Sequence, residues 1–171
     1  MSRRTNAAAS TIALAMLLGA CDGGTGGSGN GQGAGPAEAP PEVRAEIEAS
    51  IADYFGAATA EEVCATVTRG FEVMVTEGPP PPDPAAPPSD ECPAVIEDAI
   101  DRDAFVLEPD VSVEVEKVVA EQDRAAARVA HPDVPEPYGV FLFEREGQWL
   151  ITSDSAVLPG FGDLAEEALE T

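Results

Sequence analysis

Few residues of this 171-residue chain have the chemistry to ligate, crosslink or transfer protons. There are three cysteines, one histidine and two tyrosines, set among 32 carboxylates. The cysteines are Cys21, Cys64 and Cys92, and the histidine is His131. A zinc site wants four nitrogen or sulfur ligands, and a single histidine leaves the set short. Redox pairs usually stand as Cys-x-x-Cys, which the chain lacks. Any Ser-His-Asp or Cys-His arrangement must pass through His131. That residue precedes Pro132 at the end of an alternating run, the place of a surface or edge residue rather than of a base. No Asp-x-Asp-x-Asp-Gly calcium loop occurs; Asp101-Arg102-Asp103 is the nearest approach and lacks the glycine. Tyr54 falls at a core-facing helical position. Lys117 continues the alternation of Val111, Val113 and Val115, where it enters a pocket or snorkels over a strand end. No catalytic residue, cofactor-binding residue or metal ligand is assigned, and no cofactor is expected.

The elements that position these residues begin with an export-like segment. Arg3 and Arg4 form a positive n-region, Ile12 to Leu18 an apolar run, and Gly19-Ala20 a small-residue cleavage site. The run is too short for a bilayer core, which needs ~20 residues. Cys21 follows Leu17-Leu18-Gly19-Ala20 directly, and this resembles the lipobox of bacterial lipoproteins. The resemblance implies cleavage after Ala20, a diacylglyceryl thioether on Cys21 and acyl chains holding the protein on the outer face of the cell membrane. Two or more chains hold stably where one holds only marginally. With Cys21 so assigned, Cys64 and Cys92 form an even pair in an exported chain and read as a disulfide. Closing a loop of that length contributes about 3.5 kcal/mol.

Residues 21–40 read as a flexible linker. Gly23 to Gly33 is glycine-rich and cannot bury a core, and Pro36, Pro40 and Pro41 stiffen its end. The charge balance excludes one partner class. The formal net charge is −23, and Arg3 and Arg4 are on the removed segment. Nucleic acid, which is bound through basic patches, is not a partner of such a surface. Calcium or a basic protein is the functional reading of the acidity; a solvated surface is the plain one.

The folded domain is expected over 41–155. Val43, Ile47, Ile51, Tyr54, Phe55 and Ala58 share one face of a helix beginning at Pro41. A capping-box sequence, Thr59 to Glu62, opens a second helix that runs to Met74 or Val75. The proline-rich stretch Gly78 to Ser89 is a stiff loop, and Ser89 or Asp90 caps a third helix holding Cys92. From Val111 the period changes to two. Four strands come next: from Val111, over Ala125 to Val129, over Tyr138 to Glu144, and over Gln148 to Ser153, with Glu146-Gly147 as a hairpin turn. Residues 156–171 read as a tail, with one or two weak helical turns over Leu164 to Leu169.

Helices followed by an antiparallel meander make an α+β order. Three groups of residues carry a further resemblance: Tyr54-Phe55-Gly56-Ala57 closing the first helix, Glu61-Glu62-Val63-Cys64 opening the second with Cys92 later, and the hairpin from Gly139-Val140-Phe141-Leu142-Phe143 to Gln148-Trp149-Leu150-Ile151. Together they resemble small exported actinobacterial proteins of the nuclear-transport-factor-2-like (NTF2-like), cystatin-like fold. That resemblance implies a curved sheet wrapping the first helix around a cone-shaped pocket. Its members include isomerases and dehydratases as well as binding domains, so the fold does not name a reaction. The expected function is a non-catalytic domain holding a small apolar ligand or contacting an envelope protein; the runner-up is an isomerase- or dehydratase-type enzyme, and a third reading is a partner domain using an exposed sheet face. Self-association into a homodimer is left open.

Overall fold

The computed structural model describes residues 36–154 and 160–170. The segment expected to direct export, Cys21 and the glycine-rich stretch lie outside the described residues. Among those described, the order is β1 (Ala37–Glu38), α1 (Pro41–Phe55), α2 (Ala60–Thr66), α3 (Arg69–Val75), α4 (Cys92–Asp101), β2 (Glu114–Glu121), β3 (Arg124–Ala130), β4 (Tyr138–Arg145), β5 (Gln148–Ser153) and α5 (Gly162–Leu169). The fold is α+β. One antiparallel sheet runs β1-β2-β3-β4-β5 and is not closed into a barrel. Among the described residues no helix is long and apolar enough to cross a membrane.

The helices α1 to α4 pack on one face of the sheet. Ile47, Ile51 and Tyr54 recur at helical spacing on α1 and are buried. They meet Val118, Ala125, Ala127, Val140, Leu142 and Ile151 in one core. Cys64 and Cys92 are bonded, with Cα atoms 6.0 Å apart, and join α2 to α4.

Several expectations are corrected. The second helix is two helices. Val67 and Thr68 are extended between them, because Val67 bridges Ile151 in parallel and the Thr68 N–H donates to the Ile151 carbonyl. β-Branched residues on an open strand edge gain more from pairing than from completing a helix. Ser89 does not cap α4 with its side chain: both its N–H and its hydroxyl donate to the buried Glu72 carboxylate, tying the proline loop to α3. The Thr59 cap is present, accepting from the Glu62 N–H at 3.2 Å, while the Glu62 carboxylate reaches the Ala58 N–H at 2.7 Å. Within the expected linker, Ala37–Glu38 adds an edge strand to β2.

The first long strand begins at Glu114, not Val111, and a register shift between Val115 and Lys117 reverses its alternation. Lys117 therefore leaves the helix-covered face. Its ammonium donates to the Glu167 carbonyl of α5 and stands 3.2 Å from the Glu167 carboxylate.

The segment expected to trail away forms α5 and covers the second sheet face. Phe161, Leu164, Ala165 and Ala168 bury Val119, Ala126 and Phe141. This explains the run Ala125-Ala126-Ala127, which is buried on both sides. A strand packed between two layers of helix has room for only small side chains at its closest approach.

Candidate functional site

The elements converge on one cavity at the end of the sheet where β3 ends, β4 begins and β5 ends. Antiparallel order brings those three strand ends together. The cavity holds about 290 Å³. The last turn of α1 supplies Tyr54 and Phe55. The 103–108 segment after α4 supplies Phe105, Leu107 and Glu108. The β3–β4 connection supplies His131 and Val134, and Tyr138 and Asp154 stand at the strand ends.

Local rules set the 103–108 segment in place. The Ala104 N–H donates to the Ala99 carbonyl and the Asp103 N–H to that of Ile100. Asp103 has φ of 56°. This is the paired C-terminal closure of a helix with a left-handed residue just beyond it. It turns the chain back over the end of α1, where Phe105 packs against Tyr54 and Phe71 at ring distances of 6.4 and 5.9 Å.

The polar groups are few and paired. Tyr54 is 5% exposed, and its hydroxyl donates to Asp154 Oδ2 at 2.7 Å. Burial, then the charge of Asp154 and the hydrogen bond to it, hold the Tyr54 phenol well above its ordinary range. Tyr138 is pushed up to about 12 by burial and by the carboxylates of Asp154 and Glu108. Both rings are thus neutral donors at any physiological pH. His131 Nδ1 accepts the Asp133 N–H at 3.2 Å, which places the ring hydrogen on Nε2, 3.4 Å from Glu108 Oε2.

His131 is not the surface or edge residue that its position before Pro132 suggests. It is 7% exposed, and its ring lies 6.0 Å from Phe55. Tyr54 does face the core as its spacing implies, but its hydroxyl reaches a carboxylate a hundred residues on. Asp101 and Asp103 are exposed at the end of α4, as expected, and Asp103 borders the cavity. Lys117 takes no part in it; α5 holds it on the opposite face. Asp154, Tyr138 and Glu108 were not singled out from sequence. The one available signal is Asp154 directly after the strand Gln148–Ser153, where a carboxylate marks the strand's end.

The mouth carries exposed apolar side chains beside the carboxylates of Asp103 and Glu108. The two exposed large hydrophobic residues among those described, Val106 (65% exposed) and Val134 (42%), both border it. Among the described residues no lysine or arginine lines it. Among the described residues no group of three or more histidine, cysteine or carboxylate side chains is placed to hold a metal ion.

Comparison with protein-family models, with curated proteins and with solved structures gives no significant match for this chain.

Proposed function

We propose that the chain is a lipid-anchored extracytoplasmic domain that binds a small ligand in the cavity between α1, the 103–108 segment and the β3–β4 connection. The carrying observation is the placement of Val106 and Val134. Exposed large hydrophobics are otherwise absent from the described surface, and these two flank the mouth of a pocket walled by aromatic rings. An apolar cavity with a few convergent polar groups is the usual form of a small-molecule site. The anchor rests on the lipobox-like Leu17-Leu18-Gly19-Ala20-Cys21. Helices α1 to α4 on one face of an antiparallel sheet, with a cavity at the end of α1, support the NTF2-like reading at the level of element order, with α5 added on the other face.

A second reading has its own observation. The cavity is not purely apolar: Asp154 accepts from Tyr54, and Glu108 faces His131. A carboxylate beside a neutral phenol is the equipment of acid–base catalysis on a carbonyl compound, with a carboxylate taking a proton and Tyr138, whose hydroxyl hydrogen is not the one given to Asp154, donating to the developing oxyanion. This supports an isomerase- or dehydratase-type enzyme as the alternative. α5 occupies the sheet face that a partner domain would need exposed, which weighs against that function.

Native mass spectrometry of the full-length protein extracted from its own envelope tests the proposal. The expected result is a lipidated N-terminal Cys21 and a small mass that leaves on denaturation. Val134→Trp, which fills the mouth from an exposed position, should lose that mass. An unlipidated chain would refute the anchor. An empty protein, or a Val134→Trp variant as loaded as the parent, would refute the cavity as the binding site.

A further inference from the structure

Given the small-ligand reading, on which this inference rests, the cavity's walls carry information about the charge of the ligand. Four aromatic rings, Tyr54, Phe55, Phe105 and Tyr138, stand around it, and Glu108 and Asp154 are the carboxylates paired at its polar end. Neither carboxylate is neutralised by a fixed cation: Asp154 accepts from a phenol, and Glu108 faces an imidazole whose Nδ1 is already accepting a backbone N–H. The described ion pairs place arginine and lysine elsewhere. Arg44 is near β1 and β2, Arg69 and Arg145 on the proline-loop side, and Lys117, Arg124 and Arg128 on the α5 side, while Arg102, next to Asp103, turns back to pair with Asp98 on α4.

We infer that the ligand is a small hydrophobic organic cation, an ammonium carried on an apolar body, seated among the rings with its charge toward Asp154 and Glu108. An anion entering the same space would meet the carboxylates of Asp103, Glu108 and Asp154 and, among the described lining residues, no lysine or arginine, in a cleft whose low-dielectric walls focus the field. A purely apolar ligand would leave Asp154 and Glu108 to be desolvated without gain. A cation gains from both. Ring faces attract it through their quadrupoles, and the carboxylates attract it directly. Burial, then the carboxylates of Asp154 and Glu108, push the Tyr138 phenol up to about 12, so its ring meets a cation as a neutral π face. The formal net charge of −23 adds a long-range attraction that raises the local concentration of any cation.

The test pairs a cation with its carbon isostere. Phenyltrimethylammonium and tert-butylbenzene have the same shape and differ in charge, and their binding to the full chain can be compared by ligand-detected NMR. The expected result is a preference of roughly tenfold or more for the cation, the size that ring and carboxylate contacts supply together. Asp154→Asn should narrow that preference. Glu108→Gln, on an exposed residue and so without risk to folding, should narrow it as well. Equal binding of the two probes, or a preference for the hydrocarbon, would overturn the cation inference while leaving the cavity a binding site. Binding of neither would overturn both. A preference that both variants leave intact would place the cation elsewhere on the acidic surface and overturn the assignment to this cavity.

Discussion

Tyr54 and Tyr138 are the only tyrosines in the chain, so the phenolate absorbance reports on the cavity alone. Both phenols are raised, first by burial and then by Asp154. A phenol whose folded value lies above its unfolded value of ~10 stabilises the fold fully below that pH, and the contribution is lost as pH rises through the folded value. In an alkaline titration no phenolate should form near pH ~10. Tyr138 should ionise at about 12, and Tyr54 only as the protein unfolds. Asp154→Asn should bring both transitions down, because it removes a shared carboxylate. Two phenols titrating together at the ordinary value would show that the cavity is open to water and that Asp154 is not seated on Tyr54. At the same scale Glu72 shows the opposite balance. Burial alone would raise its carboxyl, but the Ser89 hydroxyl and N–H and the Arg69 guanidinium outweigh that and hold it below the usual range.

At the scale of elements, α5 decides how the sheet is finished. Without it Phe141, Phe143, Val119 and Ala126 would face solvent as a contiguous apolar surface. Two forces hold it. Phe161 packs edge-on against Phe141 and Phe143, with ring centres 5.4 and 5.0 Å apart. Cations from the sheet meet carbonyls at its two ends: Arg124 donates to Gly160, Lys117 to Glu167 and Arg128 to Leu169. The last two sit at the negative end of the helix dipole, where α5 has no basic residue of its own. Magnitude separates the contributions. Phe161→Ala should cost about 3–5 kcal/mol in urea-unfolding free energy, as large aromatic truncations in a core do. Lys117→Met should cost under ~1 kcal/mol, since the group is part-exposed and keeps an apolar stem over the same surface. Equal costs would show that α5 is held by its charges rather than by burial.

At the scale of the molecule, charge opposes compactness. The formal net charge is −23, and the basic groups that do occur are largely taken up in pairs with carboxylates or carbonyls. Such a surface repels itself most when screening is weakest. The Debye length falls from ~30 Å at 0.01 M salt to ~8 Å at 0.15 M. Thermal melts across that range should show Tm rising with salt, opposite to what a fold stabilised by surface ion pairs would do. A Tm that falls with added salt would show that the ion pairs outweigh the net repulsion. The Cys64–Cys92 bond works in the same direction as burial, since it ties α2 to α4 across the whole proline-rich connection.

Local chemistry made much of this legible without coordinates. Period-3.6 spacing located Ile47, Ile51 and Tyr54 as the buried face of α1, and the Thr59 cap, the Gln148 to Ser153 strand and the Glu146-Gly147 turn arise from rules that act within a few residues. The disulfide was legible as the even pair that remains once Cys21 is set apart. What the tertiary structure alone decided involves partners distant in the chain. Val67 and Thr68 leave their helix because β5 offers an edge, and Lys117 changes face because one residue is inserted in its ladder. Residues 162–169 become a helix because a bare apolar sheet face awaits them. The cavity belongs to the same class. Tyr54 and Asp154 are a hundred residues apart, and neither carries a local signature of the other. Short-range propensity encodes the elements; which ends meet, and so where the phenols, the imidazole and the carboxylates converge, is encoded only in the packing of the sheet.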